Sequence, residues 1–238
     1  MANLLTFKQR RADLSPRTRR RAEEILNTAR QIFSENGYEK TTTLDIAQRL
    51  GISEATVFTY FDSKRELCMQ VVNDWYAEIS EQLERELPYI QGTRAQLSYV
   101  VQKHLNILIR DGKGLCALVL TEGRHPDSEF SDLLAHLLRR YTAPLMNVLS
   151  SAQTLGEIRA DMPLRFMRDM VYGSMEHVLW QCIASHHMPD LELAAKQITE
   201  MLWSAFAPPD VNLNALRQLQ VELAAALRRF ENTDSEAK

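Results

Sequence analysis

The chain has 238 residues, 45% of them apolar, and a formal net charge of −3 at neutral pH. That is enough for one large or two modest domains with a sizeable core, but no apolar run approaches the ~18–20 residues of a membrane span. The polar, basic N-terminus lacks the apolar core of an export signal, and the three widely spaced cysteines, Cys68, Cys116 and Cys182, suit buried thiols in a reducing cytoplasm.

In chain order the first feature is a basic arm, residues 1–16. Residues 1–21 carry seven Lys and Arg against Asp13 alone, a net of +6. Residues 1–65 hold 12 basic and 8 acidic side chains, a net of +4, and the remainder holds 16 and 23, a net of −7. A basic arm ahead of a compact head can contact phosphates or the minor groove, with Arg20 and Arg21 next to the helical body. For residues 1–14 a solvated tail is the equal alternative.

Residues 17–36 form a first helix, because Ala22, Ile25, Leu26, Ala29, Ile32 and Phe33 keep a spacing of three and four. Gly37 stops it, and Tyr38 can fold back on its last turn. Thr42-x-x-Asp45 has the form of a capping box, so a short helix begins near Thr43 and shows Leu44, Ile46, Ala47 and Leu50 on one face. Gly51 ends it and Ile52 plugs the corner. Ser53 caps a second short helix with Glu54 at its positive end. Val57 and Phe61 turn inward, which leaves Glu54, Ala55, Thr56, Phe58, Thr59 and Tyr60 outside. Small polar and aromatic side chains of this kind reach base edges, thymine methyls and phosphates. Two short helices around a glycine corner form a helix-turn-helix, the element that lays a recognition helix in the major groove. A plain helical corner is the alternative, against which the basic flank weighs.

Ser63-x-x-Glu66 has the form of another capping box and opens a long connecting helix, 64–87, carrying Leu67, Val71, Trp75, Ile79 and Leu83. Longer, greasier helices follow over about 93–111, 115–122, 126–155, 163–186, 190–206 and 213–230, with Asp161 expected to cap the fourth of them. The eight Gly and eight Pro lie mostly between these runs, and no alternating β-branched segment stands out. The fold class is therefore all-α: a three-helix head joined by a long helix to a helical C-terminal domain. The boundaries are 1–16 for the arm, 17–66 for the head, 67–231 for the larger domain and 232–238 for a polar tail.

The head resembles the TetR family of bacterial transcription regulators. The residues that carry the resemblance are Ile25-Leu26-x-x-Ala29-x-x-x-Phe33-x-x-x-Gly37-Tyr38, then Thr42-Thr43-x-x-Ile46-Ala47-x-x-Leu50-Gly51-Ile52-Ser53, then Thr56-Val57-Phe58-x-Tyr60-Phe61-x-x-Lys64-x-x-Leu67. The likeness is nearly continuous over 20–70; the later helices match in number and length only. It implies a homodimer on a palindromic operator, usually as a repressor, released when a small molecule enters the larger domain and moves the connecting helix. It also implies DNA contacts by Thr43, Ser53, Ala55, Thr56, Phe58, Thr59, Tyr60 and Lys64, and dimerisation through 163–186 and 190–206. One departure is Phe58 followed by Thr59, where the family often has two aromatic or histidine residues. A phenyl ring cannot donate a hydrogen bond to phosphate, so Phe58 packs or touches a thymine methyl instead.

Residues 119–145 look like the family's subgroup that responds to fatty acyl-CoA, by Glu122, Arg124, Phe130 and Leu133–Tyr141 and by Gly156-Glu157-Ile158 before a Met-rich helix. The middle helices supply many Leu, Met and Val, so an elongated apolar effector is expected among residues 100–182, near Leu105, Leu120, Leu138, Tyr141 and Met175. Arg124 or Arg168 would meet an acidic head group. The dimer seam is expected at Val171, Met175, Val178, Leu179, Ile198, Met201 and Leu202, because two successive apolar helices carry more surface than a monomer's outer layer leaves exposed. No metal site is expected: Cys182 and His186 share a helical face, but no third ligand has a convincing spacing. No cofactor is expected, and Cys116 in LCALVL reads as an inert core thiol rather than a redox sensor. The competing readings are a helix-turn-helix protein that binds DNA without an inducer, in an architectural or division-linked role, and an enzyme on a helical scaffold. Against the enzyme, the chain shows no carboxylate-rich metal motif, phosphate loop or nucleophile elbow.

Overall fold

The computed structural model describes residues 15–111, 115–116, 119, 129–185, 189–208, 216 and 219–225, and every regular element among them is helical. Among these residues no helix is long and apolar enough to cross a membrane. Helix α1, Pro16–Asn36, starts where the Ser15 hydroxyl accepts from the Thr18 N–H at 3.3 Å, with Pro16 at the first helical position, where it forfeits no hydrogen bond. It buries the expected face from Ala22 to Phe33. After Gly37 the Tyr38 ring folds back, its centroid 5.8 Å from that of Phe33.

Helices α2, Thr43–Leu50, and α3, Glu54–Tyr60, make the corner. Both bonds of the capping box at Thr42 and Asp45 are present. The Thr42 hydroxyl, more than its N–H, holds the Asp45 carboxyl below its ordinary range. Gly51 adopts φ 65° and ψ 32°, the left-handed conformation that a Cβ makes costly. One expectation is corrected: Leu44 is 46% exposed, and the inward face is Thr43, Ile46 and Ala47, with Leu50 half-buried. The row that meets α1 and α3 runs 43, 46, 47, 50, and Leu44 lies about 100° round the helix from Thr43.

Helix α4, Lys64–Glu86, continues into a 3₁₀ turn at Leu87–Tyr89. The Ser63 hydroxyl accepts from the Glu66 N–H at 3.1 Å, but the Glu66 carboxylate turns to the N–H of Asp62 at 2.6 Å instead of closing the box on Ser63. The helix buries its expected row and also Met69, Gln70, Val72 and Tyr76. The reason is its position. It packs on α1 at one side and on α6 at the other, so a single apolar stripe does not exhaust its buried surface.

Helix α5, Thr93–Leu105, runs on through a π-helical segment, Asn106–Asp111. Helices α6, Glu129–Thr154, α7, Leu164–Ser185, and α8, Leu191–Phe206, complete the larger domain. Helix α5 packs on α6, α7 and α8, and one apolar core is continuous from Ile25 in the head to Phe206 in α8. Asp161 does not cap α7. The Arg159 guanidinium holds its carboxylate by two bonds of 2.8 and 2.7 Å, and the Pro163 carbonyl accepts from the N–H groups of Phe166 and Met167. In the last expected helix, residues 216 and 219–225 are helical, and Leu216, Leu219, Val221 and Leu223 are exposed. Residues 1–14 of the basic arm, the polar tail, Leu120, Glu122, Arg124, His186 and His187 lie outside the described residues.

Candidate functional site

The outer face of α3 follows from its caps and its one buried row. Val57 is fully buried, which turns Ala55, Phe58 and Thr59 out of the head. Phe58 is 46% exposed, a large apolar ring left to solvent. The exposed Ser53 hydroxyl accepts from the Thr56 N–H at 3.2 Å and shares a hydrogen bond with the Thr56 hydroxyl at 2.8 Å. The Thr59 hydroxyl donates to the Ala55 carbonyl at 3.0 Å. Its proton is thus engaged by the helix, which leaves the hydroxyl able only to accept.

Three expected contact residues are held in other ways. The Thr43 hydroxyl is nearly buried and donates to the Glu54 carboxylate at 2.5 Å, a bond that locks the angle between α2 and α3. Tyr60 is half-buried against the core. The Lys64 ammonium donates to the carbonyls of Tyr38 and Thr41 at 3.0 and 3.1 Å. Arg20 and Arg21, on the first turns of α1, both pair with Glu24, at 3.4 and 2.8 Å. These pairs are exposed and so hold the guanidinium groups only weakly.

In the larger domain a cavity of about 520 Å³ lies between α4, α5, α6 and α7. Of the residues expected near an effector, Leu138, Tyr141 and Arg168 line it. Leu105 and Met175 do not. Both are fully buried in the core, where each fills space between helices. The Arg168 guanidinium donates to the Asp169 carboxylate at 2.9 and 2.7 Å.

The polar side of the cavity escaped the sequence reading. Tyr76 from α4, His104 from α5 and Tyr172 from α7 join Tyr141 in a cluster of rings with centroids 5.5–5.7 Å apart. His104 Nδ1 is hydrogen-bonded to the Tyr141 hydroxyl. Burial pushes the His104 pKa down to about 3, and it raises the phenols of Tyr76, Tyr141 and Tyr172 and the Cys116 thiol. All of these groups are therefore neutral near pH 7. His104 could have been found from its place four residues after Val100 on the buried row of α5. Tyr76 lies off the row of α4 that was read, and gave no such signal.

The expected dimer seam is corrected in part. Val171, Met175, Leu179 and Leu202 are fully buried within the chain itself, and Ile198 nearly so, which leaves them no surface for a partner. Val178 is half-buried and Met201 is 54% exposed. The outward row of α7 runs through Phe166, Met170, Ser174 and Val178 at steps of four, and α8 adds Leu193 and Met201. Among the described residues no group of three His, Cys, Asp or Glu could hold a metal ion.

Two family models divide most of the chain between them. The model for bacterial regulatory proteins of the tetR family matches residues 25–71, and the model for the C-terminal region of YsiA-like proteins matches residues 73–205. The chain is 23% identical to the fatty acid metabolism regulator protein of Bacillus subtilis over 181 residues, 76% of this chain and 93% of that protein. It is 25% identical to the transcriptional repressor KstR2 of Rhodococcus jostii over 165 residues, 67% of this chain and 80% of that protein. The structure of the transcriptional regulator FadR from Bacillus subtilis in complex with stearoyl-CoA superposes with a TM-score of 0.67 at 23% identity, over 76% of this chain and 97% of that one. At that identity the superposition shows the shared fold.

Proposed function

The chain belongs to the tetR family of bacterial regulatory proteins, a DNA-binding transcription regulator and not an enzyme, and on that premise we propose that it is a repressor released by an acyl-CoA. As a homodimer in the cytoplasm it holds a palindromic operator, with Ser53, Ala55, Thr56, Phe58 and Thr59 facing bases and Arg20, Arg21, Tyr60 and Lys64 near phosphates. An apolar effector of the fatty acyl-CoA type fills the cavity of the larger domain and frees the DNA.

The observation that carries this reading is Tyr76. It lines the cavity, and it belongs to α4, the helix separated from α3 by only three residues. A ligand that displaces Tyr76 therefore moves the element on which the recognition helix is mounted. The acyl class is supported by the likeness to the fatty acid metabolism regulator protein of Bacillus subtilis and to the FadR structure from that organism, solved with stearoyl-CoA. Reversing a 99:1 population needs a difference in affinity between the two states of roughly 5.5 kcal/mol. Buried methylenes at ~0.8 kcal/mol each reach that sum with about seven carbons, if they are buried in one state only.

The test is to select operator fragments from genomic DNA and titrate the complex with acyl-CoAs, free fatty acids and flat aromatic compounds. Release by acyl-CoA at micromolar concentration is expected. Release by aromatic compounds alone overturns the acyl assignment and leaves the repressor standing. No release by any of them favours a regulator that works without an inducer.

A further inference from the structure

Two polar atoms at the cavity are buried and have no hydrogen-bond partner: Nε2 of His104 and the hydroxyl of Tyr172. The two residues are 5% and 9% exposed, both line the cavity, and their ring centroids are 5.7 Å apart. A buried polar group left unpaired is costly, so two at one cavity mark a place where a ligand completes the bonding. Nδ1 of His104 is already engaged by the Tyr141 hydroxyl. A phenol is the stronger acid of that pair, so its O–H donates to Nδ1, and the proton of the neutral imidazole sits on Nε2. Nε2–H and the Tyr172 O–H are then two uncharged donors without partners, on neighbouring rings that line one cavity.

We propose that His104 and Tyr172 together bind the carbonyl oxygen of a neutral thioester, so that the acyl carbonyl of the effector lies inside the cavity and not at its mouth. This inference rests on the acyl-CoA reading above. A carbonyl oxygen has two lone pairs and accepts both donors. A carboxylate would have to leave water for two uncharged donors, and the charged side chains at this cavity, Arg139 and Arg168 with Asp169 and Glu176, carry no net positive charge to offset that cost. The pair thus selects thioester over free acid, a discrimination that apolar chain length cannot supply.

The experiment compares stearoyl-CoA with its thioether analogue S-octadecyl-CoA, in which a methylene replaces the carbonyl, by calorimetric titration of the full chain. Wild-type protein is expected to bind the thioester roughly ten-fold more tightly, the worth of one or two hydrogen bonds. Tyr172→Phe and His104→Phe should shrink that preference toward unity by weakening the thioester, and a thioether that still binds reports that the cavity is intact. If His104→Phe loses both ligands, Tyr172→Phe, the loss of a single oxygen, decides the matter. Equal affinity for the two ligands in wild-type protein overturns the carbonyl site and leaves the acyl reading in place. Failure of both ligands to bind wild-type protein overturns the acyl reading and this inference with it.

Discussion

The ammonium of Lys64 sits 4.0 Å from the centroid of the Tyr38 ring and donates to the Tyr38 carbonyl at 3.0 Å. The first residue of α4 is thereby fastened to the end of α1 across the base of the helix-turn-helix. A lysine expected to meet phosphate also holds the head together.

Lys64→Ala should therefore cost stability as well as DNA affinity. It removes two bonds to carbonyls and a cation–ring contact, together about 1–3 kcal/mol for a half-buried group. Urea unfolding should show a lower midpoint, and operator and random DNA should weaken alike. A variant with wild-type stability would show that the lysine is not engaged in this way in solution.

Phe58 is exposed, so Phe58→Ala should change stability by less than about 0.5 kcal/mol. Operator affinity should nonetheless fall by about ten-fold or more, and the preferred base at one position in each half-site should relax. Binding to a library of randomised half-sites, read at fixed salt because phosphate contacts are salt-dependent, makes the measurement. An unchanged base preference would remove Phe58 from the interface.

The dimer should separate on Arg substitution at Val178 or Met201, whereas Arg at the fully buried Val171 should unfold the chain. Sedimentation at micromolar concentration distinguishes a folded monomer from an intact dimer, and circular dichroism identifies unfolding. Folded dimer from both outward variants would place the seam elsewhere.

His104 makes stability depend on pH. Its folded pKa lies near 3, below the ~6.5 of an exposed histidine, so the unfolded chain takes up a proton that the folded chain refuses. The contribution is complete above about pH 6.5 and declines as the pH falls toward 3, with a slope approaching ~1.4 kcal/mol per pH unit. Urea midpoints measured between pH 7 and 5 should fall more steeply for wild type than for His104→Phe. Parallel slopes would mean that His104 is hydrated and titrates normally.

The head was legible residue by residue because its signals are local. Thr42 and Asp45, Gly51, Ser53 and Ser63 each act within three or four positions, and the helices begin and end where those side chains put them. Local reading failed where a residue had two partners to choose between. Asp161 could cap α7 or pair with Arg159, and the bidentate guanidinium won. Glu66 could close its box on Ser63 or reach Asp62, and it reached Asp62. Most residues expected at the dimer seam are covered by the chain itself, since periodicity marks which residues are apolar and not what covers them.

The amino-acid sequence by itself determined the all-helical class, the helix-turn-helix with its glycine corner, and the apolar supply of the larger domain. Each depends on propensity, capping or a 3.6-residue period, and all three act along one segment of chain. Only the tertiary structure decided that the cavity has a polar side. His104 meets Tyr141 across 37 residues of sequence and Tyr172 from a further helix. Burial by those distant helices, not any neighbour in sequence, keeps the imidazole neutral and leaves its second nitrogen in want of a partner.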